Sequence, residues 1–256
     1  LRKRLSLLFL LVVTIALLAG CSEFKEPIYV DSEGFWNHYI VWPLVSAITF
    51  FKGLLGTYGL GIITVTIIIR LAILPLMIKQ TKSSKNMQEV QPELKKLKEK
   101  YSSKDAATQQ KYQQEMMALF KERGINPAAG CLPVFVQMPI LIGFYHAISR
   151  MNNTPQIDLG SFLGFALADP SITLAVLAGL MQFFVLRTGP AMDNPQMKIM
   201  MYIMPFMIIG FGTVLPAALT LYWVIGNIIS ILQNLFIYKP WNKPKAEPVK
   251  TGGAKK

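Results

Sequence analysis

The residue that most needs a chemical explanation is Arg70. It lies inside the apolar stretch 59–78, with eleven residues of that stretch before it and eight after. An arginine at the centre of a membrane-crossing helix costs about 2.5–3.5 kcal/mol on insertion scales. The usual offset is an internal carboxylate. None of the five long apolar stretches of this chain contains Asp or Glu, and Asp158, Asp169 and Asp193 all fall between them. Snorkelling to the nearer end means covering eight residues, about 12 Å at the helical rise, which is long for an arginine. The expectation is a guanidinium facing water or backbone carbonyls in a hydrated cavity partway across the membrane. Low-dielectric walls make such a charge an attractor for anions.

Other polar residues share these stretches: Thr64 and Thr66, Gln137, Gln182, and then Tyr222, Trp223, Asn227, Ser230, Gln233 and Asn234. Each could line the same cavity, although singly such residues more often make helix–helix hydrogen bonds. Pro75, Pro133, Pro139 and Pro205 can bend helices and open grooves, and are equally compatible with ordinary kinks. Met197, Met200, Met201, Met204 and Met207 form a cluster that suits varied apolar partners or plain lipid contact. Nucleotide, zinc-protease and nucleophile-elbow motifs are absent. His38 and His146 have no metal-ligating neighbour one helical turn away, and only Ser149 near His146 hints at a nucleophile and base. No cofactor or metal is expected, and the chain does not read as an enzyme. Without a carboxylate inside the spans, ion-coupled transport is disfavoured as well. A channel or small-solute transporter is the alternative to a protein that handles other proteins.

The elements that must position Arg70 follow from patterning. Of 256 residues, 52% are hydrophobic, and they come in blocks rather than stripes. Five blocks approach the ~20 residues a bilayer core requires: 59–78, 129–148, 171–187, 198–213 and 216–238. The third and fourth are short enough to need local thinning. The net charge of +12 is segregated between the blocks, which suits loops facing anionic lipid better than binding to DNA. The segment 79–128 holds eleven Lys and Arg and the tail 239–256 holds six, whereas 22–58 carries only Lys25 and Lys52 and 149–170 only Arg150. The two rich segments are therefore cytoplasmic, as is the short loop 188–197, while 149–170 is an outer loop. Five crossings then require an N-terminus outside. The segment 34–55 is aromatic (Phe35, Trp36, Tyr39, Trp42, Phe50, Phe51) and also apolar. If it crossed, the eleven-cation loop would fall outside, so it is expected as a helix in the outer interface within the region 21–58. Met87, Val90, Leu94, Leu97 and Tyr101 repeat at spacings of 3 and 4, and Tyr112, Met116 and Leu119 make a second stripe. The pattern predicts an antiparallel helical hairpin in the cytoplasm. The basic tail is too polar to fold alone.

Two resemblances complete the reading. Arg2, Lys3 and Arg4 precede an apolar run that ends in Leu18-Ala19-Gly20-Cys21. This resembles a bacterial lipoprotein signal peptide, 1–20, with a lipobox. The resemblance implies a chain anchored by acyl groups on Cys21. The second is spread along the chain: Arg70-Leu71-Ala72-Ile73-Leu74-Pro75-Leu76, Met87-Gln88-Glu89-Val90-Gln91-Pro92-Glu93-Leu94, Gly130-Cys131-Leu132-Pro133, Gln137-Met138-Pro139 and Leu221-Tyr222-Trp223. Together these resemble the YidC-type membrane protein insertases, in the lipoprotein branch of Gram-positive bacteria. That family implies an all-α membrane protein of five transmembrane helices around a hydrophilic groove. The groove arginine of the family matches Arg70, and positions that contact substrate match Gln137, Gln182 and Trp223. Partners implied are nascent membrane proteins, the ribosome, the Sec translocon and anionic lipids, at the bacterial plasma membrane.

Overall fold

The computed structural model describes residues 24–103, 105–125, 132–189 and 195–238. The expected signal peptide, Cys21, Gly130, Cys131 and the basic tail lie outside the described residues. The first ordered element is a turn of π-helix, Asn37–Val41, which runs directly into α1, Trp42–Leu55. Gly56 stops α1 with a left-handed φ of 91°, and the Thr57 side chain caps α2, Tyr58–Glu89, by accepting from the Leu60 N–H. A pair of shorter helices follows as α3, Gln91–Lys100, and α4, Ala106–Glu122. Then come α5, Leu132–Asn152; strands β1, Ser161–Phe162, and β2, Phe165–Ala166; α6, Ile172–Thr188; α7, Pro195–Gly212; and α8, Ala217–Tyr238. The helices run through Pro75, Pro139 and Pro205.

Among the described residues three helices are long and apolar enough to cross a membrane: Asn37–Leu55, Tyr58–Glu89 and Ala217–Ile237. Two shorter apolar helices, Ile172–Thr188 and Met201–Gly212, stand where the short third and fourth spans were expected. The helix carrying the first span does not end near 78. It continues for 32 residues, so span and first hairpin segment are one rod. The rod breaks at Val90, where the N–H turns back to the Gln88 carbonyl. Pro92 has no N–H to give that carbonyl, so the ladder cannot continue through it.

Beyond the break, α3 and α4 pack as the antiparallel hairpin. Val90, Phe120 and Ile125 form its small core, with Met87, Leu94, Met116 and Leu119 against them. Arg123 pairs with Glu93 at 2.6 Å and Lys100 with Glu115 at 3.0 Å. The Tyr101 hydroxyl donates to Glu115 and, with Lys100, holds that carboxyl below its usual range. Asp105 caps α4 by accepting from the Thr108 N–H, and the Ser103 hydroxyl is the larger cause of its own downward shift.

The main core is lopsided. Its members include Val45 and Ile48 of α1, Ile62 and Val65 of α2, Phe144, Ile148 and Met151 of α5, and Leu219 and Tyr222 of α8, with Leu159 and Leu167 from the α5–α6 connection. All lie toward the ends of the helices opposite the hairpin, here termed the capped end. The cap is a loop whose two-residue turn has φ of 51° at Leu163 and 83° at Gly164, the primed geometry that matches strand twist. Phe162 of this loop covers Gly59, where a Cβ would come within 2.2 Å of the ring. The loop also serves α8: the Ala217 and Ala218 N–H groups, orphans of a helix start, donate to the carbonyls of Asp169 and Leu167.

Candidate functional site

Toward the hairpin end the packing loosens, and the change falls at a definite level. On α2 no residue from Ile67 to Lys79 is buried, and burial returns only at Gln80 near the hairpin. On α5 the residues described from Val136 to Ile142 are not buried, whereas Gly143 and Phe144 are. On α8 burial ends at Asn227. Arg70 stands one turn past Thr66, at the boundary between the close-packed and the loosened halves.

Three helices define its setting. The guanidinium of Arg70 lies against the backbone of Gly226 on α8, where a Cβ would sit 2.7 Å from Nη2 and 3.4 Å from Cζ and Nε. Only glycine allows this seat without displacing the group. One helical turn earlier on the same face of α8 is Tyr222, 1% exposed. Its hydroxyl accepts from Gln137 Nε2 of α5 at 2.8 Å, and its ring stacks on Phe144 at 4.2 Å between centroids. One face of α8 therefore carries both the seat of Arg70, at Gly226, and the partner of Gln137, at Tyr222. Among the described residues Arg70 makes no hydrogen bond or ion pair, and both ion pairs formed belong to the hairpin. Among the described residues no carboxylate pairs with this charge.

The remaining sequence candidates divide clearly. Gln182 donates to the Met204 sulfur of α7 at 3.4 Å, and no described hydrogen bond ties it to Arg70. Trp223 is half-buried and packs on the main core; it points about 100° around α8 from Tyr222. Thr66 bonds back to the Ile62 carbonyl and Ser230 to that of Gly226. Asn227 donates to the Ala178 carbonyl, Asn234 to that of Val185, and Gln233 to Thr81. These are the helix–helix and local bonds expected of isolated polar residues in spans.

Two residues were not read as part of the site. Gly226 could not be distinguished in sequence from any other helical glycine. Arg150, counted above as a lone loop cation, lies inside α5 and is 2% exposed. Its guanidinium donates to the Glu26 carbonyl at 3.0 Å, the Pro27 carbonyl at 2.9 Å and Asn37 Oδ1 at 2.5 Å. It fastens the N-terminal segment and the π-turn to the capped end. Among the described residues no cluster of His, Cys, Asp or Glu could hold a metal ion.

Comparison with known proteins places the chain among membrane protein insertases by similarity. The model of the 60Kd inner membrane protein family matches residues 50–245. Membrane protein insertase MisCA of Bacillus subtilis is 55% identical over all of this chain and 99% of its own length. Membrane protein insertase YidC 2 of Bacillus anthracis is 52% identical over the whole of both chains. A crystal structure of an active YidC insertase with its first transmembrane domain resolved superposes with a TM-score of 0.60 at 25% identity, over 79% of this chain. This chain spans about half, 47%, of that one.

Proposed function

The chain belongs to the 60Kd inner membrane protein family, which its insertase relatives share, and on that premise we propose that it inserts client proteins into a bacterial plasma membrane and helps them fold. Helices α2, α5, α6, α7 and α8 cross the bilayer, and α1 lies in the outer interface. Charge parity supports that assignment, because a sixth crossing puts the eleven cations of 79–128 on the wrong side. The capped end then faces out and the hairpin faces the cytoplasm.

One observation carries the mechanism: Arg70, without a carboxylate partner among the described residues, at the level where packing changes from close to loose. The loosened half is the groove, open to the cytoplasm and lined by Gln137, with Gln182 and Trp223 along its flanks. An acidic stretch of a client enters this groove and pairs transiently with Arg70. At about 4 Å and an effective dielectric of about 20 the attraction is on the order of 4 kcal/mol. That is of the same size as the cost of holding an arginine in a span. The adjoining apolar helix of the client then slides into lipid past α6 and α8, driven by about 0.8 kcal/mol per buried CH₂. No nucleotide is consumed in this scheme.

The test compares Arg70→Ala with Arg70→Lys in a client-insertion assay. Clients with acidic translocated tails should lose insertion with Ala and keep most of it with Lys, and clients with neutral tails should change little. Wild-type insertion of acidic clients by Arg70→Ala overturns the charge-attraction mechanism.

A further inference from the structure

A second concavity lies at the capped end, away from Arg70. It has a volume of about 1050 Å³ and runs between the segment 28–31, one face of α1 and the turn after α5. That is at the upper end of the range of small-molecule sites, ~300–1,000 Å³. Its walls include Ile28, Val30, Trp42, Val45, Phe50 and Leu54, and Asp31 is the one charged residue lining it. Val30, Phe50 and Leu54 are more than half exposed. At Gly53 a Cβ would meet nothing within 4 Å. The groove is apolar, roomy and open along α1.

We propose that this groove seats an acyl chain of the lipid carried on Cys21. The first support is chain length. Ile28 and Val30 form part of the wall, and Cys21 stands seven residues before Ile28, within about 25 Å even when fully extended. The second is the route. Ile28 N–H donates to the buried Thr154 hydroxyl, Arg150 grips the carbonyls of Glu26 and Pro27, and the Phe24 ring rests 5.6 Å from that of Tyr145. Only two residues, Ser22 and Glu23, lie between Cys21 and Phe24, the first residue held on this path. The third is charge. A membrane phospholipid brings a phosphate close to Asp31, whereas a glyceride joined through a thioether brings none.

The modification follows lipobox chemistry. The Cys21 sulfur forms a C–S bond to the glyceryl carbon of a phospholipid as the C–O bond to phosphate breaks, the phosphate headgroup leaving with the electron pair and the thiol proton passing to solvent. Water then hydrolyses the Gly20–Cys21 peptide bond. The seated chain fixes the mature N-terminus to α1, so that the anchor acts as packing as well as tether.

The experiment uses the full-length protein, made in a Gram-positive host fed a fatty acid with a terminal diazirine. After irradiation, crosslinked peptides are identified by mass. The expected product joins the glyceride-bearing Cys21 peptide to α1 within the same chain, and Gly53→Trp, which fills the groove from open space, lowers its yield at least fivefold at unchanged melting temperature. Three results overturn the proposal: an unacylated Cys21, Cys21 acyl chains crosslinked only to bilayer lipid, or α1 peptides carrying phospholipid or another protein in place of the Cys21 glyceride.

Discussion

The seat of Arg70 on Gly226 gives the sharpest test of the site. In Gly226→Ala the new Cβ would lie 2.7 Å from Nη2, against 3.4 Å for an ordinary contact, so the guanidinium must withdraw by about 0.7 Å. The clashing atom is the far end of a flexible side chain, and a shift of that size is cheap. Helix propensity meanwhile favours Ala over Gly by about 0.8–1.0 kcal/mol. Gly226→Ala should therefore melt at or slightly above the wild-type temperature and insert clients within about twofold of it. In Gly226→Leu the seat is filled. If the charge retreats from about 4 Å to about 8 Å from a client carboxylate, the attraction falls by half, on the order of 2 kcal/mol or thirtyfold in rate. The assay is insertion of acidic and neutral clients into proteoliposomes, with Gly226→Leu, Arg70→Ala and the double variant side by side. If the glycine acts through the arginine, the double variant inserts no worse than Arg70→Ala alone. Independent, multiplying losses, or full insertion of acidic clients by Gly226→Leu, would refute the reasoning.

Arg150→Ala leaves two carbonyls and an amide oxygen without their charged donor, at about 1.5–3 kcal/mol for each such bond. It should lower the melting temperature in detergent and raise hydrogen exchange over 24–41, and Arg150→Lys should recover only part of both. Gly59→Ala drives a methyl into the Phe162 ring and should cost about 1–3 kcal/mol, read as a lower melting temperature that Phe162→Leu restores. The hairpin should respond to acid. Glu115 is held below its ordinary value first by the Tyr101 hydroxyl and then by Lys100, so its contribution is complete above the ordinary carboxylate pKa and is lost as pH falls through the lowered value. Asp105 has the same sign, with Ser103 as its main cause. Protection of the α4 amides, taken as exchange relative to the intrinsic rate at each pH, should therefore be flat from neutral pH to about 5 and should fall below about 4, and Tyr101→Phe should move the onset to higher pH.

Much of the architecture could be read from patterning because it rests on local signals. A cation in a carboxylate-free apolar stretch needs only the sequence to be noticed, and Arg70 is where the packing changes. The 3–4 spacing of Met87, Val90 and Leu94 gave the hairpin, although its core also takes in Phe120 and Ile125 from outside the two stripes. What escaped depends on partners far away in the chain. Gln137 and Tyr222 are 85 positions apart, and nothing local tells that glutamine from Gln182, which turns to a methionine instead. Arg150 was misplaced because the apolar run ends at Ile148. The helix continues one more turn, and the buried positions Phe144, Ala147, Ile148 and Met151 carry the arginine inward beside them. Strands of two residues are too short to show a period, so β1 and β2 could be foreseen only through the Leu163-Gly164 turn.

The two arginines explain why the fold is built unevenly. Arg150 is buried, and its donors reach acceptors fixed by the chain itself, so its burial cost is met permanently and it acts as a rivet. Arg70 has no such acceptors among the described residues, and its charge stays available only where water or a visiting carboxylate can reach it. A bundle packed evenly from end to end would bury that charge dry. A bundle loose throughout would not hold the guanidinium on Gly226. In the proposed mechanism the close-packed cap supplies the rigidity and the loosened half supplies the access, and the boundary between them has to fall near Arg70. Substitutions above that boundary, at Arg150 or Gly59, should therefore act on stability and affect all clients alike. Those at the boundary, at Gly226, should leave melting nearly unchanged and discriminate between clients by their charge. A cap substitution that destroys insertion of acidic clients while sparing both stability and neutral clients would break this division of labour.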